Sequence, residues 1–257
     1  MVRPKKHLGQ HFLTDLNIAQ KIVDCLDSEI EQVCEIGPGT GVLTTPLLKK
    51  EPPIGNLKLI EVDTESIQYL EENFDDKRLS IIAADFLKMR IDDIYTSPFS
   101  IIGNFPYNIS SQIFFKVIEN RNQIPLVVGM IQKEVAERIA APHGNKTYGI
   151  LSVLLQSWYD IEYCFTVHEN VFNPPPRVKS AVIRFRRNST EALGCNEKLF
   201  FSVVKIGFNQ RRKTLRNALK PLLPNINQSD HIFFTKRAEQ LSPAEFVELT
   251  NVVESFM

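Results

Sequence analysis

The stretch "VCEIGPGTGVLT", residues 33–44, decides the fold class of this 257-residue chain. A short apolar run ends at Gly37, and Gly39 and Gly41 follow at alternate positions. Glycine lets the backbone turn sharply and approach a ligand closely, and a helix that begins behind such a turn directs its N–H groups at that ligand. The stretch therefore predicts a strand, a ligand-binding turn and a helix.

The spacing of these glycines indicates which class of ligand the turn binds. A dinucleotide fingerprint reads G-x-G-x-x-G, whereas this chain has G-x-G-x-G with Glu35 two residues before the first glycine. This variant suits S-adenosylmethionine, because its methionine part offers a carboxylate and an ammonium in place of a pyrophosphate. The same spacing disfavours an NAD-dependent oxidoreductase. Glycine turns alone are weak evidence, since many are only tight turns.

Helix and strand patterns alternate from residue 17 to 185. Such alternation predicts an α/β fold, a mostly parallel, doubly wound sheet with helices on both faces. We expect strands at 32–36, 56–62, 79–83, 99–102, 126–131, 158–165 and 180–186. We expect helices at 16–26, 43–50, 65–74, 113–119 and 133–140, with Ser110 or Ser111 capping the fourth of these.

The character of the chain changes after Asn188. Helical patterns cover 200–208, 214–222 and 243–254, and Ser242 and Glu245 form a capping box around a proline at the first helical position. The sequence therefore predicts two domains, an α/β domain over residues 1–188 and a small all-helical domain over residues 189–257.

Two acidic residues follow the second and third predicted strands. Glu61 ends "LIE" and Asp85 follows "IIAA". In a Rossmann-type sheet the first position reaches the ribose hydroxyls of a nucleotide, and the second can accept a hydrogen bond from an adenine amino group. Either acid alone could be a helix cap or a surface charge. Both together, after a glycine turn, predict a cofactor site at the carboxyl edge of the sheet.

The next strand ends in an unusual loop, "IIGNFPYNIS", residues 101–110. The Asn104 side-chain oxygen and the Phe105 carbonyl are two hydrogen-bond acceptors, and Pro106 holds that carbonyl in an extended orientation. Tyr107 offers a flat face for a planar ring. Two acceptors beside a stacking face suit the amino group of an aromatic base, so this loop predicts a catalytic role in methyl transfer to adenine N6.

A second aromatic candidate lies in "NVFNPPPRVKSAV", residues 170–182. Phe172 precedes a rigid triple proline and could complete a sandwich around an extruded base. It could equally be a core phenylalanine, and the residues alone leave both readings open.

The charge of the chain is neutral overall but unevenly distributed. Residues 177–220 hold twelve basic residues against Glu191 and Glu197, whereas residues 51–95 hold eleven acidic and five basic residues. A local basic face can bind phosphate despite a neutral total, although a solvated helix surface is the alternative. The residues that we expect to contact RNA are Arg177, Lys179, Arg211, Arg212, Lys213 and Arg216.

Other features exclude some classes of protein. No apolar run approaches the roughly 20 residues that cross a bilayer, and no apolar stretch follows the basic N-terminus, so we expect neither a membrane protein nor a signal peptide. Four scattered cysteines favour free thiols in the cytoplasm. His7 and His11 lack a third ligand nearby, so we expect no metal site.

Together the motifs resemble one family. "HLGQHFLTD", "EIGPGTGVLT", "IEVD", "AADFL", "GNFPYNIS", "QKEVAERIA", "YGILSV", "VFNPPPRVKSAV" and "RRKTLRNAL" follow one another over residues 5–219 in the order seen in bacterial small-subunit rRNA adenine dimethyltransferases. The resemblance implies transfer of two methyl groups from S-adenosylmethionine to N6 of each of two adjacent adenosines near the 3′ end of 16S rRNA, during small-subunit assembly. It also implies that the helical domain binds rRNA.

The resemblance assigns roles residue by residue. The family's cofactor site falls on Gln10, His11, Leu13, Gly37, Glu61, Asp85 and Asn104, to which the turn geometry adds Gly39. Its target-adenine site falls on Asn104, Phe105, Pro106, Tyr107 and Phe172. Phe105 stands where the family most often has leucine, which leaves the chemistry to the backbone carbonyl and changes the packing around it.

Three alternatives stay open at this point. A sister enzyme methylates an adenine of 23S rRNA, and the motif "FNQRRKTLRNAL" in the helical tail favours the small-subunit enzyme by resemblance only. A DNA adenine methyltransferase would usually add a large recognition domain. A non-catalytic ribosome assembly factor could retain the pocket, although intact Gly37, Glu61, Asp85 and Asn104 argue against lost chemistry. We expect the protein to be a monomer.

Overall fold

Apolar β-branched segments build a seven-stranded sheet in the computed structural model, which describes residues 2–5, 8–27, 31–223 and 230–257. The strands are β1 (Phe12–Leu13), β2 (Gln32–Ile36), β3 (Asn56–Glu61), β4 (Leu79–Ala83), β5 (Ser100–Asn104), β6 (Leu126–Gln132), β7 (Tyr159–Val167), β8 (Phe172–Asn173) and β9 (Ser180–Arg187). The sheet order is β4-β3-β2-β5-β6-β9-β7, and β1 pairs separately with β8.

The pairing of the strands sets the fold class. β2 to β6 run parallel, and β9 joins β6 antiparallel. Val33, Leu59, Ile101 and Val127 are fully buried, because helices cover both faces of a parallel sheet. The predicted α/β class, a doubly wound sheet, is confirmed. Its strand order reverses between β2 and β5, and ligands bind at such a switch point.

The helices largely follow the predicted apolar patterns. They are α1 (Leu16–Val23), α2 (Thr44–Leu48), α3 (Thr64–Asn73), α4 (Ser110–Glu119), α5 (Lys133–Ala140), α6 (Ile150–Gln156), α7 (Glu197–Asn209), α8 (Leu215–Ala218) and α9 (Pro243–Glu254). The capping box before α9 forms as predicted, with Ser242 Oγ accepting from the Glu245 N–H at 3.2 Å. No helix among the described residues is long and apolar enough to cross a membrane.

Several element ends differ from the predictions. Ser110 does not cap α4 but lies inside it, and Ile109 precedes the helix without a side-chain cap. α8 ends at Ala218 rather than at residue 222. α1 ends at Val23 because the N–H groups of Cys25 and Leu26 donate to carbonyls three residues back. α6 was not predicted, since a seven-residue buried apolar run does not distinguish a helix from a strand.

The chain divides into two compact units. The first comprises Met1–Ala136 and Glu162–Arg187, and the second comprises Glu137–Ile161 and Asn188–Met257. The first domain predicted from the sequence, residues 1–188, includes residues 137–161, which group here with the second unit. Within the second unit, Trp158 packs edge-on against Phe200 at 6.0 Å between ring centroids and stacks on Phe201 at 5.9 Å. This aromatic cluster explains why the segment around α6 groups with the later helices.

Candidate active site

A cavity of about 220 Å³ opens at the carboxyl ends of β2, β3 and β5 in the first unit, and we call it the edge cavity. Its walls come from the glycine turn after β2, the residues after β3 and β4, the loop after β5 and the N-terminal residues 8–12. The predicted site residues that line it are Gln10, His11, Gly37, Gly39, Glu61, Asp85, Asn104, Phe105, Pro106 and Tyr107.

The glycine turn requires its glycines for two reasons. Gly37 and Gly39 have φ of +66° and +57°, the left-handed region that side chains with a Cβ rarely adopt. A Cβ on Gly39 would also lie 2.8 Å from the ring of Phe12. The Gly37 N–H donates to the Ile60 carbonyl at 2.9 Å, which fixes the turn against the end of β3. The turn is therefore a rigid wall of the edge cavity.

Glu61 joins β3 to this turn through a buried carboxylate. Its side chain accepts hydrogen bonds from the backbone N–H groups of Gly39 at 3.1 Å, Val62 at 2.9 Å and Asp63 at 3.0 Å. Burial raises the pKa of Glu61, and these three hydrogen bonds oppose the shift. The carboxylate is thus held in one orientation beside the cavity.

Asp85 follows β4 and is held far less tightly. Its side chain is 37% exposed, lies 3.5 Å from Lys88 Nζ and accepts from the Leu87 N–H at 3.0 Å. It lines the edge cavity, as predicted, but it also caps the local turn. The two predicted cofactor acids therefore differ in how firmly the fold fixes them.

Asn104 lies at the last position of β5, two residues beyond the predicted end of that strand. Its backbone is paired with Met130 of β6, and its side-chain Nδ2 donates to the His11 carbonyl at 2.8 Å. This hydrogen bond fixes which way the amide faces. Within the described part of the chain, the other end of the amide, Oδ1, accepts no hydrogen bond. Asn104 therefore brings an acceptor to the edge cavity without a protein partner.

Phe105 and Tyr107 have different roles in this loop. The Phe105 ring is fully buried and packs edge-on against Phe114 at 6.0 Å between centroids, so its side chain belongs to the core. The Tyr107 ring stacks on His11 with centroids 5.7 Å apart, and its hydroxyl lies 2.6 Å from Ser180 Oγ. Burial raises the pKa of Tyr107, so the phenol stays neutral and serves as a ring surface.

The structure does not bring two of the predicted residues to the cavity. Leu13 and Phe172 face each other across the β1–β8 pair, and each is only 4% exposed. Both belong to the hydrophobic core of the first unit. Phe172 therefore occupies the core position that the sequence left open as its second reading, and it does not contact the edge cavity in this structure.

Asp63 lies beside the cavity and is not among the site residues predicted from the sequence. Asp63 is 2% exposed and binds Lys5, Gln10 and Ser66, so it ties the N-terminal residues to the start of α3. The signal was available, because Asp63 ends the quoted motif "IEVD". It could not be interpreted without knowing that residues 5 and 10 pack there.

The predicted RNA-contacting residues lie at the surface to different degrees. Arg177 and Lys179 are exposed in the first unit, and Arg212 and Lys213 are exposed in the second. Arg211 is half-buried, bonds the Lys146 carbonyl and has Glu239 at 3.9 Å, and Arg216 lies over the Phe234 ring at 5.9 Å. No acidic residue lies within four positions of Arg211 in the sequence, so its neighbour Glu239 could not be predicted from spacing.

The described residues hold no cluster of three or more His, Cys, Asp or Glu side chains that could bind a metal ion. His7 lies outside the described residues. All four cysteines are free thiols.

The sheet, the glycine turn and the edge cavity define the class of Rossmann-like methyltransferases. A family model described as ribosomal RNA adenine dimethylase matches residues 1–255. The Ribosomal RNA small subunit methyltransferase A of Bacteroides thetaiotaomicron is 58% identical over 257 residues, which cover 99% of this chain and 95% of that protein. The chain therefore belongs to the ribosomal RNA adenine dimethylase family, and the family that the motifs predicted is confirmed.

Solved structures agree with this assignment. A dimethyladenosine transferase from Plasmodium falciparum superimposes with a TM-score of 0.78 at 26% identity, covering 96% of this chain and 100% of that one. The 23S rRNA methyltransferase ErmE superimposes with a TM-score of 0.70 at 22% identity, covering 93% of this chain and 99% of that one. The second similarity concerns the fold alone, so the fold does not separate small-subunit from large-subunit enzymes.

Proposed function

We propose that this protein transfers methyl groups from S-adenosylmethionine to N6 of two adjacent adenosines near the 3′ end of 16S rRNA, dimethylating each during small-subunit assembly. Family membership and a 58% identical relative named as a small subunit methyltransferase support this choice of target. The observation that carries the chemistry is the orientation of Asn104, whose Nδ2 is engaged by the His11 carbonyl while its Oδ1 is left for a substrate.

The edge cavity fits S-adenosylmethionine. A Cβ on Gly37 would project into open space, so the bare backbone there leaves room for a ligand to approach its N–H groups. Glu61 offers a fixed carboxylate for ribose hydroxyls, and Asp85 offers an acceptor for the adenine amino group. When bound, the sulfonium supplies an electrophilic methyl group.

The loop after β5 would bind the amino group that receives the methyl. Adenine N6 is a poor nucleophile, because its lone pair is delocalised into the ring. Accepting both N–H bonds, by Asn104 Oδ1 and the Phe105 carbonyl, favours the pyramidal amine and stabilises positive charge as it develops. Tyr107 would hold the base by stacking, and this positioning contributes much of the rate.

The basic residues would bind the phosphates of the RNA. Arg177 and Lys179 of the first unit and Arg212 and Lys213 of the second are exposed, as phosphate contacts require. Zero net charge makes these local patches the source of RNA affinity. We further propose that the protein acts as a monomer in the cytoplasm, on particles of the assembling small subunit.

One labelling experiment tests this function. The protein is supplied with S-adenosylmethionine labelled in its methyl group and with one of three substrates: small-subunit particles lacking the modification, 23S rRNA or duplex DNA. We expect label in dimethyladenosine from the small-subunit particles only. Label in 23S rRNA would indicate the sister activity, and particle binding with no label would indicate an assembly factor without catalysis.

A further inference from the structure

The N-terminal strap, residues 8–14, forms one wall of the edge cavity. Leu8, Gly9, Gln10, His11 and Phe12 all line it. Residues 12–14 of the strap are held by the β1–β8 pair and by Thr14, whose N–H donates to the Val171 carbonyl at 2.9 Å. Residues 8–11 lie outside any strand and have to be held by other contacts. Those contacts decide whether the cavity is closed.

The inner part of the strap contacts both reactive ends of the cavity. The His11 carbonyl accepts from Asn104 Nδ2 at 2.8 Å, and the Phe12 ring lies against the Gly39 backbone. The strap therefore supports the acceptor proposed for the target amine and the glycine turn proposed for the cofactor. Displacing it would change both.

The N-terminal side of the strap is anchored at Asp63, directly through Gln10 and also through Lys5, which precedes the strap in the chain. The Asp63 carboxylate is fully buried, forms an ion pair with Lys5 and accepts from Gln10 Nε2 at 3.4 Å. Gln10 in turn accepts from the Lys5 backbone N–H at 2.9 Å, so the three residues form one closed network. Lys5 also lies 3.3 Å from Glu65, at the exposed rim of this network.

This network exceeds what the local helix needs. Asp63 is the N-cap of α3, with its carboxylate accepting from the Glu65 N–H at 3.3 Å and from Ser66 Oγ at 3.1 Å. Asparagine caps a helix equally well. The ion pair with Lys5 is therefore the contact for which a carboxylate is needed in place of an amide. Burial alone would raise the pKa of Asp63, but the hydrogen bonds from Lys5, Gln10 and Ser66 outweigh it and hold the pKa below its usual value.

We propose that Asp63 is a positioning residue that latches the N-terminal strap, through Lys5 and Gln10, over the ligand bound in the edge cavity. The ligand class rests on the proposed function, in that we take it to be S-adenosylmethionine or its product S-adenosylhomocysteine. Asp63 does not line the cavity, so it acts on the ligand only through the strap. A latch of this kind raises affinity by increasing the population of the closed state.

Asp63→Asn tests the latch, because it keeps the side-chain shape and an acceptor for the Glu65 N–H but removes the charge that pairs with Lys5 and the acceptor for Gln10 Nε2. The matched control is Asp76→Asn, which removes a carboxylate paired with Arg78 at 2.7 Å elsewhere in the first unit. We expect the dissociation constant of S-adenosylhomocysteine, measured by calorimetry, to rise about three- to tenfold in Asp63→Asn and to stay within about 1.5-fold in Asp76→Asn. Thermal unfolding of both variants checks that they fold.

Two further measurements separate a latch from general loosening. With RNA substrate, KM for the cofactor should rise while kcat at saturation changes less than about twofold, because bound cofactor restores the closed strap. The double variant Lys5→Met with Asp63→Asn should weaken binding of S-adenosylhomocysteine little more than either single change, because both changes break the same ion pair. The latch would be refuted if the two substitutions weakened binding additively, or if kcat fell by the same factor as kcat/KM.

Hydrogen exchange distinguishes failure of the latch from failure of the proposed function. In wild-type protein without ligand, the amides of Leu8 and Gln10, which donate to the Lys5 carbonyl, should be protected, and in Asp63→Asn they should exchange about three- to tenfold faster. If wild type binds no S-adenosylhomocysteine, the proposed function fails while the exchange still decides the latch. If wild type binds it and Asp63→Asn shows neither weaker binding nor faster exchange, the latch is refuted.

Discussion

The edge cavity and the basic segment, residues 211–216, place polar side chains in opposite ways. In the edge cavity Glu61 takes three backbone N–H groups and Asn104 is held by a carbonyl, so each side chain has one orientation before any ligand arrives. In the basic segment Arg212 and Lys213 are exposed and form no ion pair with any described residue.

The two arrangements imply different contributions of single residues to function. In a preorganised site the groups are already ordered before the reaction, so no free energy is needed to orient them. A single substitution there should therefore cause a large loss of binding or rate. Exposed cations contribute through summed charge, so single substitutions are small, additive and sensitive to salt. Substitutions in the two regions should therefore differ in the size of their effects and in their dependence on salt.

Asn104→Ala should lower kcat for methyl transfer by about 100- to 1,000-fold, because it removes a placed acceptor of the target amine. The dissociation constant of S-adenosylhomocysteine should change by less than about fivefold. Single-turnover methylation and calorimetry measure the two quantities. Retained turnover would remove the proposed role of Asn104 and with it the preorganised character of the cavity.

Glu35→Gln should alter how stability depends on pH. Burial raises the pKa of Glu35 to about 8, against the hydrogen bond from Thr44 Oγ1, and the charge of Glu61 adds to the shift. The folded state therefore keeps a proton that the unfolded chain releases near its ordinary pKa, so wild-type stability falls as pH rises from about 5 to 8. In urea unfolding, the free energy of unfolding of the wild type should fall by a few kcal/mol relative to that of Glu35→Gln over that pH window. Parallel pH curves for the two proteins would contradict this.

Glu61→Gln and Asp85→Asn compare a fixed acid with a loose one inside the same cavity. The buried Glu61 carboxylate cannot be replaced by an amide without placing an NH₂ group against backbone N–H groups. We expect the dissociation constant of S-adenosylhomocysteine to rise about tenfold or more in Glu61→Gln and about two- to threefold in Asp85→Asn. Equal increases in the dissociation constant would show that burial does not determine how much each acid contributes to ligand affinity.

Reversing charge in the basic segment should have the smallest effect per residue. Arg212→Glu with Lys213→Glu should weaken binding to small-subunit particles several-fold and make its dependence on salt shallower, because fewer counterions are released. Lys49→Glu with Lys50→Glu is the matched control in the first unit. Unchanged affinity and salt slope, measured by filter binding, would mean that Arg212 and Lys213 are only solvated surface.

Much of the edge cavity could be predicted, because its signals are local. A glycine turn directly after a strand, and acids at the ends of the next two strands, specify their positions through the regular geometry of a parallel sheet. The residues between them and the N-terminal strap could not be placed in this way. Asp63 meets Lys5 across 58 residues of chain, and no periodicity reports such a pair.

The same distinction explains the errors in the elements. Ser110 is a good capping residue by type, but the turn that precedes α4 places it inside the helix, buried and 3.4 Å from the Tyr107 carbonyl. Arg211 has no acid within four residues in sequence, yet Glu239 comes within 3.9 Å of it. In both cases tertiary placement overrides a local rule.

The ring of Phe105 has an evolutionary consequence. It fills space above two neighbouring strands, so a Cβ would lie 2.7 Å from it at Gly103 and 2.6 Å from it at Gly129. Position 103 is also closed by the Ile36 carbonyl at 2.6 Å and must stay glycine whatever residue stands at 105. At position 129 the three nearest atoms to such a Cβ all belong to the Phe105 ring. In relatives with leucine at position 105, the space that the ring fills should admit alanine at position 129. The residues at positions 105 and 129 should therefore covary, whereas position 103 should remain glycine.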